Sequence, residues 1–306
     1  MTPASVVPAG MPFTKGHGTE NDFVLVADPD ARLTLTAETV ARLCDRRAGI
    51  GADGLIRVVR TAAMPATDGR DATDRTAGVT EWFMDYRNAD GSLAQMCGNG
   101  VRVMAAFALA KGLLSHDELR AGVDIGTRAG VRRVSLRADG QYSVTMGSGR
   151  LVDPDAVRRM GQDTTVLPHA SQNGLPGIGV DVGNPHVVVV LAHATELDRL
   201  DLSRPPQLEP HPADGANVEF IVVQEPAEPE LGYLRMRVHE RGSGETRSCG
   251  TGICASVVAA RELTGDEAPR WWTVDVPGGR LSVRVFDDGH LELTGPAVLV
   301  ADGHMR

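Results

Sequence analysis

The sequence predicts an α+β fold of two pseudo-symmetric lobes, each a curved β-sheet or barrel wrapped around one central buried helix. Three observations lead to this prediction. Four sequence blocks recur in the same order in the two halves of the chain. Each half contains an apolar helix that lacks a polar face, which is typical of a buried helix. Short strands rich in Val and Thr lie around both helices in the sequence.

Composition supports a packed globular protein and excludes several classes. The chain has 306 residues, which is enough for two domains, and 42% of them are hydrophobic but only 4% aromatic, so the core must be mainly aliphatic. The net charge is −9 and the basic residues are dispersed, which argues against nucleic-acid binding. The sequence has neither an apolar run of membrane-spanning length nor a secretory signal, so we expect a cytoplasmic protein with a disordered leader.

The elements follow one another in a regular order. Strand-like "NDFVLV" precedes "TAETVARLCDRR", which places Val40, Leu43 and Cys44 on one face of a peripheral helix. "EWFMDYR" then leads to the apolar helix "VRVMAAFALAKGLL", and in the second half "YLRMRVHE" leads to "ICASVVAARELTG". Residues 62–79 and the Pro-rich stretch 204–212 have the composition of loops. We expect a first lobe over residues 1–145, rejoined by a strand from 292–306, and a second lobe over 146–291.

The two halves match closely enough to indicate a duplication. "DYRNADGSLAQMCGNG" parallels "RVHERGSGETRSCGTG", "GADGLIRVV" parallels "GANVEFIVV", and "NDFVLV" parallels "NPHVVVV". The matched pairs are Asn21 with Asn184, Asp53 with Asn217, Asn88 with Glu240, and Cys97 with Cys249.

Two of the four cysteines begin the apolar helices, and this position indicates chemistry. The helix N-terminus favours an anion, but the dipole alone lowers a thiol pKa only from about 8.5 to about 7.5. We therefore expect a second group, His186 or Glu240, to lower it further. Two such thiols suit racemisation, in which a base removes an α-proton from one face and an acid returns one to the other. Cys44 and Cys254 are expected in the core, and the cysteine and histidine spacings predict no metal site.

Six blocks in this order resemble the diaminopimelate epimerase family. They are "GHGTENDFVLV", "GIGADGLI", "YRNADGSLAQMCGNGVR", "VDVGNPHVVVV", "GANVEFI" and "HERGSGETRSCGTG". The resemblance implies epimerisation of LL- to meso-2,6-diaminopimelate in lysine and peptidoglycan precursor synthesis. It also implies that the enzyme uses no pyridoxal phosphate or other cofactor and takes a small-molecule substrate. A homodimer is left open.

The resemblance also implies roles for individual residues. Cys249 is the expected base on the LL substrate and Cys97 the expected acid. His186 and Glu240 are expected to tune the thiols. The implied substrate-binding set is Asn21, Asn88, Gly98, Asn99, Asn184, Asn217, Glu240, Arg241, Gly250 and Thr251. Two positions depart from the family pattern, Gly54 where some relatives have Gln and Glu20 where relatives often have Gly or Gln.

Two alternatives stay open at this point. Proline racemases and hydroxyproline epimerases also use paired cysteines, but they typically carry His in the first "CGxG" block and lack "HERGSGE". A dithiol redox protein would use Cys97 and Cys249 as a reversible pair, although redox pairs usually lie close together in sequence.

Overall fold

The structure is a computed structural model that describes residues 9–64, 76, 78–169, 171, 173–213, 215–225, 228 and 230–306. Residues 1–8 of the expected leader lie outside the described residues, as does most of the expected loop 62–79. The chain divides into two compact units. Unit 1 comprises Met1–Val144 and Gly295–Arg306, and unit 2 comprises Thr145–Thr294.

The sheet of unit 1 is built around its first and last strands. The strands are β1 (Pro12–Gly18), β2 (Asn21–Ala27), β3 (Gly54–Arg60), β4 (Trp82–Asn88), β5 (Val123–Thr127), β6 (Gly130–Leu136), β7 (Tyr142–Ser148) and β19 (Val298–His304). β1 pairs antiparallel with both β19 and β2, and β2 pairs parallel with β3. β3 and β4 are antiparallel, β4 and β5 are parallel, and β5, β6 and β7 are antiparallel.

Unit 2 repeats this pattern of strand directions. The strands are β8 (Arg150–Leu151), β9 (Thr164–Leu167), β10 (Leu175–Asp181), β11 (Pro185–Val190), β12 (Gln207–Glu209), β13 (Asn217–Gln224), β14 (Leu231–Glu240), β15 (Gly244–Thr246), β16 (Trp271–Val276), β17 (Gly279–Val285) and β18 (His290–Gly295). β10 and β11 are antiparallel, β11 and β13 parallel, β13 and β14 antiparallel, β14 and β16 parallel, and β16, β17 and β18 antiparallel. The short strands β8 and β9 pair with β10, β12 pairs with β9, and β15 pairs with β14.

Helices occupy the connections that parallel strands require, because a parallel pair cannot be joined by a tight turn. The helices are α1 (Ala37–Cys44), α2 (Gly98–Ala110), α3 (His116–Ala121), α4 (Pro154–Met160), α5 (Ala194–Arg199) and α6 (Gly250–Thr264), with a short 3₁₀ turn at Thr61–Ala63. α2 connects β4 to β5 and α6 connects β14 to β16, so the two helices hold equivalent positions in the two units. This equivalence confirms the predicted duplication and the α+β class.

Each long helix is the core of its own unit. α2 packs against β1, β2, β3, β4, β6 and β19, and α6 packs against β8, β10, β11, β13, β14 and β17. Val101, Val103 and Met104 of α2 are fully buried, as are Ile253 and Cys254 of α6. Because each sheet contacts its helix from many strands, each sheet curves around the helix, as the sequence predicted.

Two details differ from the sequence analysis. α1 ends at Cys44 and does not continue to Arg47, because the carboxylate of Asp45 accepts hydrogen bonds from the following backbone N–H groups and closes a turn. The Pro-rich stretch 204–212 is not entirely loop. It contains β12, which pairs with β9 and buries Leu208 against the core of unit 2.

Candidate active site

Cys97 is the N-cap residue of α2 in unit 1. Its backbone is extended, with φ −141° and ψ 116°, and its sulfur accepts a hydrogen bond from the N–H of Gly100 at 3.3 Å. The N–H groups in the first turn of a helix have no partner within the helix. The "CGNG" sequence thus places a thiol beside a group of backbone donors, with Gly98 as the first helical residue.

The thiol contacts the side chain of Asn21, which other polar side chains hold in place. Cys97 donates to Oδ1 of Asn21 at 3.5 Å, and the same oxygen accepts from Nδ2 of Asn99 at 3.3 Å. Nδ2 of Asn21 donates to the Asp53 carboxylate at 2.8 Å, which fixes the orientation of the Asn21 amide. Asn99 is fully buried and its own Oδ1 accepts from Arg102 at 2.9 Å. Cys97 therefore faces a hydrogen-bond acceptor.

Cys249 is the N-cap residue of α6 in unit 2, and it is more deeply buried, with 6% of its surface exposed. Its backbone is again extended, with φ −125° and ψ 112°. The Oγ1 atom of Thr251 lies 3.6 Å from its sulfur. Gly250 and Thr251 form the start of the helix, where backbone donors are available as in unit 1.

A line of polar groups leads from Thr251 into the core of unit 2. Nδ2 of Asn184 donates to Thr251 Oγ1 at 3.4 Å, and Oδ1 of Asn184 lies 3.0 Å from Nε2 of His186. Nδ1 of His186 lies 2.8 Å from Oε1 of Glu219. His186 is 1% exposed and Glu219 is 0% exposed. The expected tuning residue His186 thus reaches the thiol only through Asn184 and Thr251.

The pKa of Cys249 differs from the sequence expectation. Burial raises this pKa well above the usual thiol value, and the negative charges of Glu240 and Glu219 raise it further. The Thr251 hydroxyl and the Gly252 N–H act in the opposite direction but do not compensate. The expected lowering of this pKa by Glu240 is therefore wrong, because Glu240 raises it. A carboxylate near a thiol disfavours the thiolate, and burial outweighs the helix N-terminus.

The other expected binding residues lie at strand ends. Oδ1 of Asn217, at the start of β13, accepts from the backbone N–H of Arg241 at 2.9 Å. Glu240 ends β14 and accepts a hydrogen bond from Thr246. Asn88 ends β4 and donates to Ser92 Oγ at 2.9 Å. Its side chain thus closes a turn, whereas the hydrogen bonds described above for Cys97 involve Asn21 and Gly100.

A cavity of about 380 Å³ lies within unit 2 beside this region. Arg241, His239 and Leu208 are among the residues that line it. The exposed Arg241 side chain is thus positioned at the border of a concave surface.

The two departures from the family pattern also have structural correlates. A Cβ atom at Gly54 would lie 2.4 Å from the Arg87 carbonyl oxygen and 2.6 Å from Cε2 of Tyr86. Tyr86 therefore occupies the space that a larger residue at position 54 would need. Glu20 is exposed with a left-handed φ of 61°, and its N–H donates to His17 Nδ1 at 3.2 Å.

Sequence analysis missed roles for two acids. Asp53 orients Asn21 in unit 1, and Glu219 holds His186 in unit 2. The available signal for Glu219 was a charge within the apolar strand "NVEFIVV", because a buried acid is rare unless it has a partner.

Solved structures with the same fold define the class of protein. A phenazine biosynthesis protein of Bacillus anthracis aligns with a TM-score of 0.66 at 16% identity, covering 98% of this chain and 100% of that one. A predicted epimerase of Pseudomonas aeruginosa aligns at 0.61 and 14% identity, covering 96% and 99%. A hydroxyproline epimerase of Agrobacterium vitis aligns at 0.59 and 15% identity, covering 97% and 91%. At these identities the similarity establishes the two-lobed α+β fold that these proteins share.

Sequence relatives define the family within that fold. The sequence model of the diaminopimelate epimerase family matches residues 13–152 and 178–300. Diaminopimelate epimerase of Thermobifida fusca is 49% identical over 298 residues, covering 97% of this chain and 98% of the relative. The Streptomyces coelicolor enzyme of the same name is 47% identical over 299 residues, covering 95% and 94%. The chain belongs to the diaminopimelate epimerase family, which confirms the resemblance and makes it an isomerase.

No helix in the described part of the chain is long and apolar enough to cross a membrane.

Proposed function

We propose that this enzyme interconverts LL- and meso-2,6-diaminopimelate by a two-base reaction in which Cys97 and Cys249 transfer the protons. The observation that carries the proposal is the shared placement of the two thiols. Each is the N-cap of the buried helix of its unit and stands beside backbone donors of the first helical turn. Those donors suit the substrate carboxylate, whose negative charge increases as the α-proton leaves.

Inversion at carbon needs a proton acceptor on one face and a proton donor on the other. Cys97 donates to Asn21 Oδ1, as the thiol of the acid must carry a proton to deliver. Cys249 lies beside the Thr251 hydroxyl, which can donate to a thiolate. These contacts support the assignment of Cys97 as the acid and Cys249 as the base on the LL substrate.

The raised pKa of Cys249 is compatible with a base that acts only when substrate is bound. The α-ammonium group of the amino acid brings a positive charge to the site, and an opposite charge within about 6 Å lowers the pKa of a thiol. The Glu240 carboxylate, which disfavours the thiolate, attracts this ammonium group. No cofactor is needed in this reaction, because the thiols and the backbone donors supply both proton transfer and charge stabilisation.

The remaining residues are assigned to recognition of the substrate. Amide side chains both donate and accept, so they can bind an amino-acid head group without adding net charge. The guanidinium of Arg241 can grip a carboxylate through two parallel hydrogen bonds. The proposed binding set is Asn21, Asn88, Gly98, Asn99, Asn184, Asn217, Glu240, Arg241, Gly250 and Thr251.

We assign the enzyme to the cytoplasm, where lysine and peptidoglycan precursors are made, with diaminopimelate as its small-molecule partner. The domain limits at 145/146 and near 292 are retained as the proposed boundaries of the functional lobes.

The decisive experiment follows conversion of LL- to meso-diaminopimelate by the purified protein in D₂O. We expect conversion together with solvent deuterium at the inverted α-carbon, and no conversion of L-lysine or L-proline. Turnover of proline would favour a proline racemase-type enzyme. Absence of both conversion and exchange, with reversible oxidation of Cys97 and Cys249, would favour a dithiol redox protein.

A further inference from the structure

The most unusual buried group in unit 2 is the carboxylate of Glu219. It lies on β13 with 0% of its surface exposed. One oxygen is 2.8 Å from His186 Nδ1, and the other has no hydrogen-bond partner among the residues that the structure describes. A buried acid that is only half satisfied is costly for stability, so its presence requires a reason.

Unit 1 shows that the fold itself does not require this acid. With Asn21 matched to Asn184, the pairing of Phe23 with Gly54 corresponds to that of His186 with Asn217. The structural counterpart of Glu219 in unit 1 is therefore Ile56. The space below the first turn of α2 is filled by Ile56 and Phe23, whose side chains lie 3.1 Å and 3.6 Å from a Cβ built on Gly100. At the matched position below α6, a Cβ on Gly252 would meet Glu219 Oε1 at 2.4 Å. The buried acid is therefore specific to the unit that carries Cys249.

The hydrogen-bond directions link this acid to the sulfur. Asn184 donates through Nδ2 to Thr251, so its Oδ1 must accept, and the proton between Asn184 and His186 is on Nε2. A proton also lies between His186 Nδ1 and Glu219. The ring is thus held between Asn184 at Nε2 and Glu219 at Nδ1.

The same directions continue to Cys249. Because the lone pair of Thr251 Oγ1 accepts from Asn184, the hydroxyl hydrogen remains available to the sulfur 3.6 Å away. Each step from His186 onward then donates toward Cys249, and Glu219 holds the ring at the start of the chain.

We propose that Glu219 is a positioning residue for Cys249, which acts through His186, Asn184 and Thr251 to keep a hydroxyl donor directed at the thiolate. The inference rests on the proposed function, since it assigns the support of the base in that reaction. Glu219 itself touches neither the sulfur nor, in this proposal, the substrate.

Replacement by glutamine tests the direction of the chain. In Glu219→Gln a carboxamide oxygen can still accept from Nδ1, but the negative charge beside the ring is gone. The Asn184 amide then turns to donate to Nε2, and the Thr251 hydroxyl turns from the sulfur to the Asn184 oxygen. Loss of the Glu219 charge by itself would lower the pKa of Cys249, so an upward shift can come only from the lost hydroxyl donor.

The expected result is a shift in the pH profile together with a loss in kcat. We expect the acid limb of kcat/KM to move up by about one pH unit and kcat to fall about tenfold, with KM nearly constant. The charged groups nearest the sulfur are Glu240 on β14 and Glu219 on β13, with His186 on β11 behind them. Glu240 is unchanged in this variant and does not produce the shift.

Three further variants make the test independent of the folding of Glu219→Gln. Thr251→Val should show the same shift, whereas Thr251→Ser retains the hydroxyl and should restore the position of the acid limb. Glu219→Gln combined with Thr251→Val should lose no more activity than Thr251→Val alone. Glu245→Gln removes a carboxylate bonded to Arg237 elsewhere in unit 2 and serves as the charge control, with an unchanged profile.

An unshifted acid limb in Thr251→Val would overturn the inference. It would also be overturned if the activity loss of the double variant were the product of the losses of the two single variants. A wild-type enzyme without α-proton exchange would instead overturn the proposed function, so the two failures are distinguishable.

Discussion

The third residue of each buried helix is glycine, and alanine at these two positions provides a matched test of the packing below the thiols. At Gly252 the new Cβ would lie 2.4 Å from Glu219 Oε1, 3.1 Å from its Cδ and 3.2 Å from its Cγ. The whole Glu219 side chain would have to move, although it is buried and bonded to His186. At Gly100 the nearest atom is Ile56 Cδ1 at 3.1 Å, the end of a flexible side chain.

These distances predict different losses of stability. Overpacking costs about 1–3 kcal/mol, and displacing a buried carboxylate from its hydrogen bond adds to that cost. Replacing a helical glycine by alanine returns at most about 1 kcal/mol. We expect Gly252→Ala to lose about 2–4 kcal/mol of unfolding free energy and most of its activity. Gly100→Ala should remain within about 1 kcal/mol of wild type.

Urea unfolding of both variants, monitored by circular dichroism, measures this difference. The free energies of unfolding are compared once the dependence on urea concentration has been shown to be the same for both variants. Exchange of the substrate α-proton with D₂O measures activity on the same samples. Equal stability and activity of the two variants would refute the packing described for Glu219. A larger loss in Gly100→Ala would reverse the predicted order and refute it as well.

Three other outcomes are expected. Cys97→Ala and Cys249→Ala should each abolish LL-to-meso conversion while remaining folded, and conversion above about 1% of wild type in either variant would contradict the two-base reaction. Cys254→Ala should keep activity with a small packing loss. Burial raises the pKa of Cys44 to about 12, against about 8.5 for an unfolded thiol. As the pH rises, the unfolded chain therefore releases this proton first, and the free energy of unfolding falls by about 1.4 kcal/mol per pH unit between these two pKa values. Cys44→Ala should lack this component of the alkaline loss, and parallel stability curves for the two proteins would contradict it. Arg241→Ala should raise KM more than it lowers kcat in steady-state assays, and a loss confined to kcat would count against a binding role.

Features carried by local pattern were predictable from the sequence. The helix beginning at Gly98 and its counterpart beginning at Gly250 follow from apolar runs that start after "CGxG" motifs. The duplicated strand order follows from blocks that repeat in sequence. Family membership follows from six motifs in order. All of these are properties of neighbouring residues, which the sequence displays directly.

Features that depend on depth and on distant partners were not predictable. The direction of the Cys249 pKa depends on complete burial and on two acids from other strands, and helix position alone suggested the opposite sign. The role of Glu219 depends on a histidine from β11 that is adjacent only after the parallel strands pair. The turn bond of Asn88 to Ser92 is local, but it competes with a binding role that the motif suggested.

The pairing of β1 with β19 has a consequence for synthesis of the chain. β1 lies between β2 and β19, so during translation it has one unpaired edge until β19 is made. Unit 2 is continuous in sequence and can fold while unit 1 still lacks its closing strand. The unit whose translation begins first is therefore completed last, and a nascent chain that stalls before Val298 presents β1 to any other polypeptide able to pair with it.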